Sequence, residues 1–203
     1  MSNRIIIGID ECGRGALAGP LVTCALVDTE LLRTIPMLRD SKALTAQQRE
    51  VIAEIIRSGG VSYIIDEASL DEIESKNILQ ANVASMNRSA KRVVEQIGFA
   101  GQPDDIELYI DGNYFHSSPY RFQTFVKGDA LYPVISAASI MAKVYRDTYM
   151  ATIAHEQFPC YGFNKHKGYG TEAHRNALLQ HGPSPLHRPS FLMKIFHQQE
   201  TLF

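Results

Sequence analysis

Asp10 and Glu11 stand side by side after the apolar run IIIGI and just before Gly13-Arg14-Gly15. Successive residues of a regular strand point to opposite faces, so the two carboxylates can share a site only where the backbone leaves regular geometry, most easily at Cys12-Gly13. Close carboxylates raise each other's pKa unless a cation compensates, and oxygen donors of this kind suit hard divalent ions such as Mg²⁺. Alone, the pair is better explained as a solvated strand end. Asp111 changes the balance: it follows IELYI as Asp10 follows IIIGI, so neighbouring strands can bring the two acids together. Asp129, in FVKGDALYP, can add a fourth acid from the connection after the next strand. Four acids can hold two metal ions about 4 Å apart, one activating water and the other stabilising the leaving oxygen of a phosphodiester displacement.

The elements that must position these acids follow from periodicity and turn signals. Ile5 to Asp10 and Leu21 to Val27 read as a hairpin around Gly19-Pro20. Thr45 opens a capping box with Gln48 ahead of Val51, Ile52, Ile55 and Ile56 at helical spacing, and Gly59-Gly60 stops that helix. Val61 to Ile65 reads as a third strand. A second capping box, Ser69 with Glu72, starts a helical stretch to Gly98 with a break near Asn77. Ile106 to Asp111 and Arg121 to Val126 are the fourth and fifth strands. Small residues from Val134 to His155 suit a helix packed closely on a sheet, and another helix follows Thr171 and stops near Gly182. The expected fold is α/β, with a catalytic domain over residues 1–155 and a smaller helical C-terminal segment and tail over 156–203.

The chain has 203 residues, 45% of them hydrophobic, as expected of a folded globule. The uncharged stretch Ala130 to Ala142 falls short of a membrane span, and no signal peptide is readable. Three cysteines without a C-x-x-C pair fit neither a disulfide framework nor a zinc knuckle, and agree with a reducing cytoplasm. The net charge of −2 hides an asymmetry: residues 1–111 carry 11 basic against 17 acidic residues, whereas 112–203 carry 9 against 5 and all seven histidines. Such a division can seat a polyanion beside an acidic cluster.

Five ordered blocks, GIDECGRGALAGPLV, DSKALT, YIDGN, KGDALYPVISAASIMAKVYRD and GYGT, make the chain resemble the type 2 ribonucleases H, specifically bacterial ribonuclease HII. The resemblance covers nearly the whole chain. It implies a ribonuclease H-like mixed five-stranded sheet flanked by helices, with Asp10, Glu11, Asp111 and Asp129 as catalytic ligands of Mg²⁺ or Mn²⁺. It implies cleavage of RNA in RNA–DNA hybrids and on the 5′ side of single ribonucleotides in duplex DNA, leaving 3′-hydroxyl and 5′-phosphate ends. It also decides against Asp147 as a ligand, leaving that residue to pair with Lys143 or another nearby base.

Such an enzyme must recognise the 2′-hydroxyl. The glycines of Gly13-Arg14-Gly15 let backbone approach a sugar, and Arg14 can bind phosphate. By the resemblance, Tyr169 bonds the same hydroxyl and stacks on the neighbouring sugar. Lys42 is the first candidate phosphate contact, followed by Lys143 and Arg146. Cys12 and Ala16 stand where the family commonly has alanine and proline; Cys12 is expected to be a small buried filler. The terminal QETLF resembles peptides that dock on the bacterial sliding clamp, with Leu202 and Phe203 in an apolar pocket and Gln199 supplying a hydrogen bond. A monomer is expected. Two rivals stay open: a junction resolvase would have no need of a 2′-hydroxyl reader, and a hybrid-binding protein without catalysis would have no need of four acids.

Overall fold

A computed structural model describes residues 4–36, 38 and 44–193; Lys42, Gln199, Leu202 and Phe203 lie outside the described residues. Five strands, β1 (Ile5–Cys12), β2 (Leu21–Val27), β3 (Tyr63–Ala68), β4 (Ile106–Asp111) and β5 (Arg121–Phe125), form one mixed sheet in the order β3-β2-β1-β4-β5. β1 pairs antiparallel with β2, and β2 with β3, whereas β4 runs parallel to both β1 and β5. The helices are α1 (Glu30–Arg33), α2 (Ala46–Ser58), α3 (Leu70–Lys76), α4 (Ile78–Gln96), α5 (Gly128–Leu131), α6 (Pro133–Ala151), α7 (Ile153–Gln157), α8 (Phe163–His166) and α9 (Glu172–His181). This is the expected ribonuclease H-like mixed sheet flanked by helices.

Helix boundaries follow local chemistry. Thr45 and Gln48 exchange side-chain and backbone hydrogen bonds at 3.2 and 2.8 Å, completing the expected capping box of α2. At Ser69 only half of the expected box forms: the serine accepts from the Glu72 amide at 3.2 Å, while the Glu72 carboxylate turns to Arg88 and Lys76. Asn77 makes the expected break, its side chain accepting from the amides of Leu79 and Gln80 at 3.0 and 3.1 Å to start α4. The long helix expected to reach His155 instead ends at Ala151 and resumes at Ile153, with Thr152 between. β3 begins at Tyr63 rather than Val61, because the Val61 amide is still bonded to the Ile56 carbonyl in the turn that closes α2.

Two apolar layers sandwich the sheet. One packs Val22, Cys24 and Leu26 against α2 and α6; the other packs Ile7, Ile9, Leu108 and Ile110 against α4. α6 crosses β1 so closely that a Cβ on Gly8 would lie 2.4 Å from the Val134 carbonyl oxygen, so only glycine fits there. A third, smaller cluster joins Ala18, Met150, Phe163, Leu178 and Leu192, seating the C-terminal segment on the loop that follows β1. No helix among the described residues is long and apolar enough to cross a membrane.

Candidate active site

The last pair between the parallel strands β1 and β4 is Ile9 with Ile110, and both strands then present an acid, Asp10 and Asp111. On its other side β1 continues past the acids, pairing Glu11 with Thr23 and Cys12 with Val22. The departure from regular geometry that could place both acids on one face at Asp10-Glu11 does not occur there; it comes at Gly13, with φ of 93°. Pleat alternation therefore separates the neighbouring acids. Asp10 is hydrogen-bonded to Ser139 on α6, and Glu11 to Asn82 on α4, so they approach the end of the sheet from its two faces. With β4 no longer alongside, the Glu11 amide is capped by Asp10 Oδ1 at 2.7 Å.

Asp111 accepts from the Gly128 amide at 2.6 Å, which ties the end of β4 to α5 and brings Asp129 to the same corner. Asp10 and Asp129 are buried. Burial, then the charge of Glu11 and, more weakly, that of Asp111, hold the Asp10 carboxyl well above the usual carboxylate range. Burial also raises Glu11, against the pull of Arg14, whose guanidinium lies 2.9 Å from Glu11 Oε1. Among the described residues, no group of three or more His, Cys, Asp or Glu side chains is arranged as a ready metal site. The four acids thus share one corner and all-oxygen chemistry, and Asp10, Glu11 and Asp111 also feel one another's charge, without an assembled coordination shell.

A cleft of about 250 Å³ opens at this corner, lined by Glu11, Cys12, Gly13, Asp129, Lys143 and Tyr169 among others. Arg49, from α2, also lines it, a cation that no motif singled out. Arg14 and Gly15 are exposed at the loop tip. Burial, then the neighbouring Cys12, pushes the Tyr169 hydroxyl up to about 12, so it is protonated and can donate at neutral pH. Cys12 is 7% exposed and burial raises its thiol, as expected of a small filler rather than a reactive thiolate. Asp147 pairs with Lys143 at 2.9 Å, as expected.

Arg146 departs from expectation. It is fully buried, with its guanidinium committed to the carbonyls of Pro20, Lys167 and Ala18, each at 2.9 Å, so it is no phosphate contact. Sequence reasoning missed three further supports of the loops. Arg188, fully buried, donates to the carbonyls of Gly13, Arg14 and Gly19. The Ser184 amide donates to His187 Nδ1 at 2.9 Å, which leaves His187 Nε2–H to donate to His174 Nε2, also at 2.9 Å. His174 Nδ1–H then donates to the Tyr169 carbonyl at 3.0 Å. Only the clustering of all seven histidines in the second half of the chain hinted at such a chain of donors.

A mixed sheet with acids at adjacent strand ends, opening into a cleft, defines a ribonuclease H-like protein. The ribonuclease HII family profile matches residues 7–194, and the chain belongs to that family, whose members are ribonuclease H enzymes. It is 46% identical to the ribonuclease HII of Burkholderia lata over 189 residues, covering 93% of this chain and 84% of the relative. The ribonuclease HII of an Acidovorax species is 44% identical over 187 residues, covering 92% and 85%. Among solved structures, ribonuclease HII from Archaeoglobus fulgidus, determined in complex with PCNA, aligns with a TM-score of 0.73 at 22% identity, covering 94% of this chain and 96% of that one. Bst-RNase HIII in complex with Mn²⁺ aligns with a TM-score of 0.74 at 20% identity, covering 98% and 71%. At these identities the structural likenesses speak to the fold alone.

Proposed function

We propose that the protein is an endoribonuclease that cuts the RNA strand of RNA–DNA hybrids and the bond 5′ to single ribonucleotides in duplex DNA, leaving 3′-hydroxyl and 5′-phosphate ends. The observation that carries this reading is the shared cleft: Glu11 and Asp129 line it together with Gly13 and Tyr169, so a sugar read by the second pair would present its neighbouring phosphodiester to the acids. Asp10, Glu11, Asp111 and Asp129 are the residues that would hold Mg²⁺ or Mn²⁺. Their chemistry fits: they are hard oxygen donors, and the burial and then the neighbouring Glu11 charge that raise Asp10 are offset by a divalent cation. Bound there, two such ions supply an activated water and charge neutralisation at the leaving oxygen.

The chain's own residues do the rest. Gly13, Arg14 and Gly15 bring backbone against the sugar, and the Tyr169 hydroxyl, kept protonated, donates to the 2′-oxygen. Lys143, at the cleft wall, and Lys42 contact phosphate. Within a cytoplasm, such an enzyme would remove misincorporated ribonucleotides and primer RNA. Docking of Gln199, Leu202 and Phe203 on the sliding clamp is supported by the QETLF sequence, and by the Archaeoglobus fulgidus relative having been solved with PCNA.

The test is Tyr169→Phe. Removing one hydroxyl should lower cleavage at a single ribonucleotide by about tenfold or more while leaving affinity for an all-DNA duplex unchanged. A variant that cuts at the parent's rate refutes the assigned reading of the ribose.

A further inference from the structure

Buried guanidinium groups are costly unless their N–H groups all find partners. Arg146, on α6, and Arg188, beyond α9, are both 0% exposed, yet neither pairs with a carboxylate within 4.0 Å among the described residues. Their partners are backbone carbonyls of the two segments that line the cleft. Arg188 donates to Gly13 at 2.9 Å, Arg14 at 3.2 Å and twice to Gly19, at 2.7 and 3.1 Å. Arg146 takes Pro20 and Ala18 from the first segment and Lys167 from the second. Its guanidinium carbon also lies 5.3 Å from the centroid of the Tyr169 ring, and a Cβ on Gly13 would lie 2.1 Å from its Nε. One side chain thus touches both halves of the cleft wall.

The two segments are also sewn to each other. The amides of Leu17 and Ala18 donate to the Gly168 carbonyl at 2.9 and 3.3 Å, and the Arg188 amide donates to Leu17 at 2.9 Å. Within the turn itself, the Ala16 amide closes onto Gly13 at 3.2 Å. The Gly13 carbonyl, accepting from both Ala16 and Arg188, has no lone pair left for a ligand. The amides of Arg14 and Gly15, by contrast, donate to no other described residue.

We infer that Arg146 and Arg188 are positioning residues for ribose recognition: by drawing the carbonyls of residues 13–20 inward they leave the Arg14 and Gly15 amides as the donor edge that meets the sugar, in fixed register with Tyr169. The inference rests on the proposed function and names what sets its specificity. Neither arginine touches substrate. A lysine at either position keeps the charge but loses the planar fork that spans several carbonyls at once.

Arg188→Lys and Arg146→Lys test this in an Asp10→Asn background that keeps the duplex intact. Affinity is measured for a duplex bearing one ribonucleotide and for its all-DNA counterpart, with circular dichroism confirming the fold. The preference for the ribonucleotide should fall about tenfold, with all-DNA affinity unchanged, because a displacement near 1 Å suffices to lose an oriented contact. Folded variants that discriminate as well as their parent overturn the role of the arginines. A parent that shows no preference overturns the proposed function itself. Should neither variant fold, hydrogen exchange on the Asp10→Asn parent decides: the Arg14 and Gly15 amides should exchange fast in the free protein and be protected by the ribonucleotide duplex alone. Slow exchange in the free protein, or equal protection by both duplexes, overturns the inference.

Discussion

Gly13→Ala, compared with Gly15→Ala two residues away, puts the packing of the loop after β1 to a quantitative test. Gly13 has φ of 93°, and a Cβ there would lie 2.1 Å from Arg146 Nε, 2.7 Å from its Cδ and 2.8 Å from its Cζ. Positive φ costs an L-residue about 1–2 kcal/mol. Relieving the clash moves Arg146 off the Pro20 carbonyl that it bonds at 2.9 Å. Losing a buried, charge-assisted hydrogen bond adds about 1.5–3 kcal/mol. The expected destabilisation is therefore about 3–5 kcal/mol, a fall in melting temperature on the order of 10 °C for a chain of this size. At Gly15 nothing lies within 4 Å of the added carbon and φ is not in the left-handed range. Alanine there should be neutral, or stabilising by about 0.5 kcal/mol through the unfolded chain. Thermal unfolding followed by circular dichroism reads both. A Gly13→Ala melt within 2 °C of the parent, or equal losses for the two variants, refutes the picture of Arg146 packed beneath the turn.

Three other outcomes follow from the same structure. Asp10→Asn should abolish cleavage yet raise the metal-free melting temperature, because it removes a buried carboxylate held beside Glu11 and Asp111; a lower melting temperature contradicts that electrostatic reading. Burial pushes His174 and His187 each down to about 4, so both are neutral in the fold and titrate near 6.5 when unfolded. The unfolded chain then takes up more protons between those values, and stability should be lost as pH falls through that window, by about 3 kcal/mol for one histidine. Asp10 and Glu11, both raised by burial, work in the opposite sense, so the melts belong in an Asp10→Asn/Glu11→Gln background; a flat profile from pH 7 to 4.5 rejects the neutral pair. Deleting residues 199–203 should abolish association with a bacterial sliding clamp while sparing cleavage of a short duplex, and retained association rejects the tail as the docking peptide.

Much of the fold was legible because it rests on local signals. The Thr45 box, the Asn77 break and the Thr171 cap, which accepts from the His174 amide at 3.3 Å, are each set by a few consecutive residues. That Asp10 and Asp111 lie near enough to feel each other's charge was legible from two matching strand ends. What periodicity misplaced were boundaries decided by neighbours, such as the extension of β1 through Cys12, which depends on pairing with β2. Arg146 was misread for a deeper reason. An arginine on a helix gives the same sequence signal whether it faces phosphate or backbone carbonyls of a loop that a second arginine, Arg188, 42 positions away, also holds. The His187–His174–Tyr169 chain is likewise a product of tertiary placement.

The most direct measurement is strand cleavage of an end-labelled DNA duplex containing one ribonucleotide, run with Mg²⁺, with Mn²⁺ and with chelator, beside an all-DNA control. A single cut on the 5′ side of the ribonucleotide, dependent on the divalent ion, absent from the control and leaving 3′-hydroxyl and 5′-phosphate ends, is the predicted result. Cleavage that persists in chelator, or that falls equally on the all-DNA duplex, contradicts the reading of this cleft as four metal-holding acids beside a ribose reader.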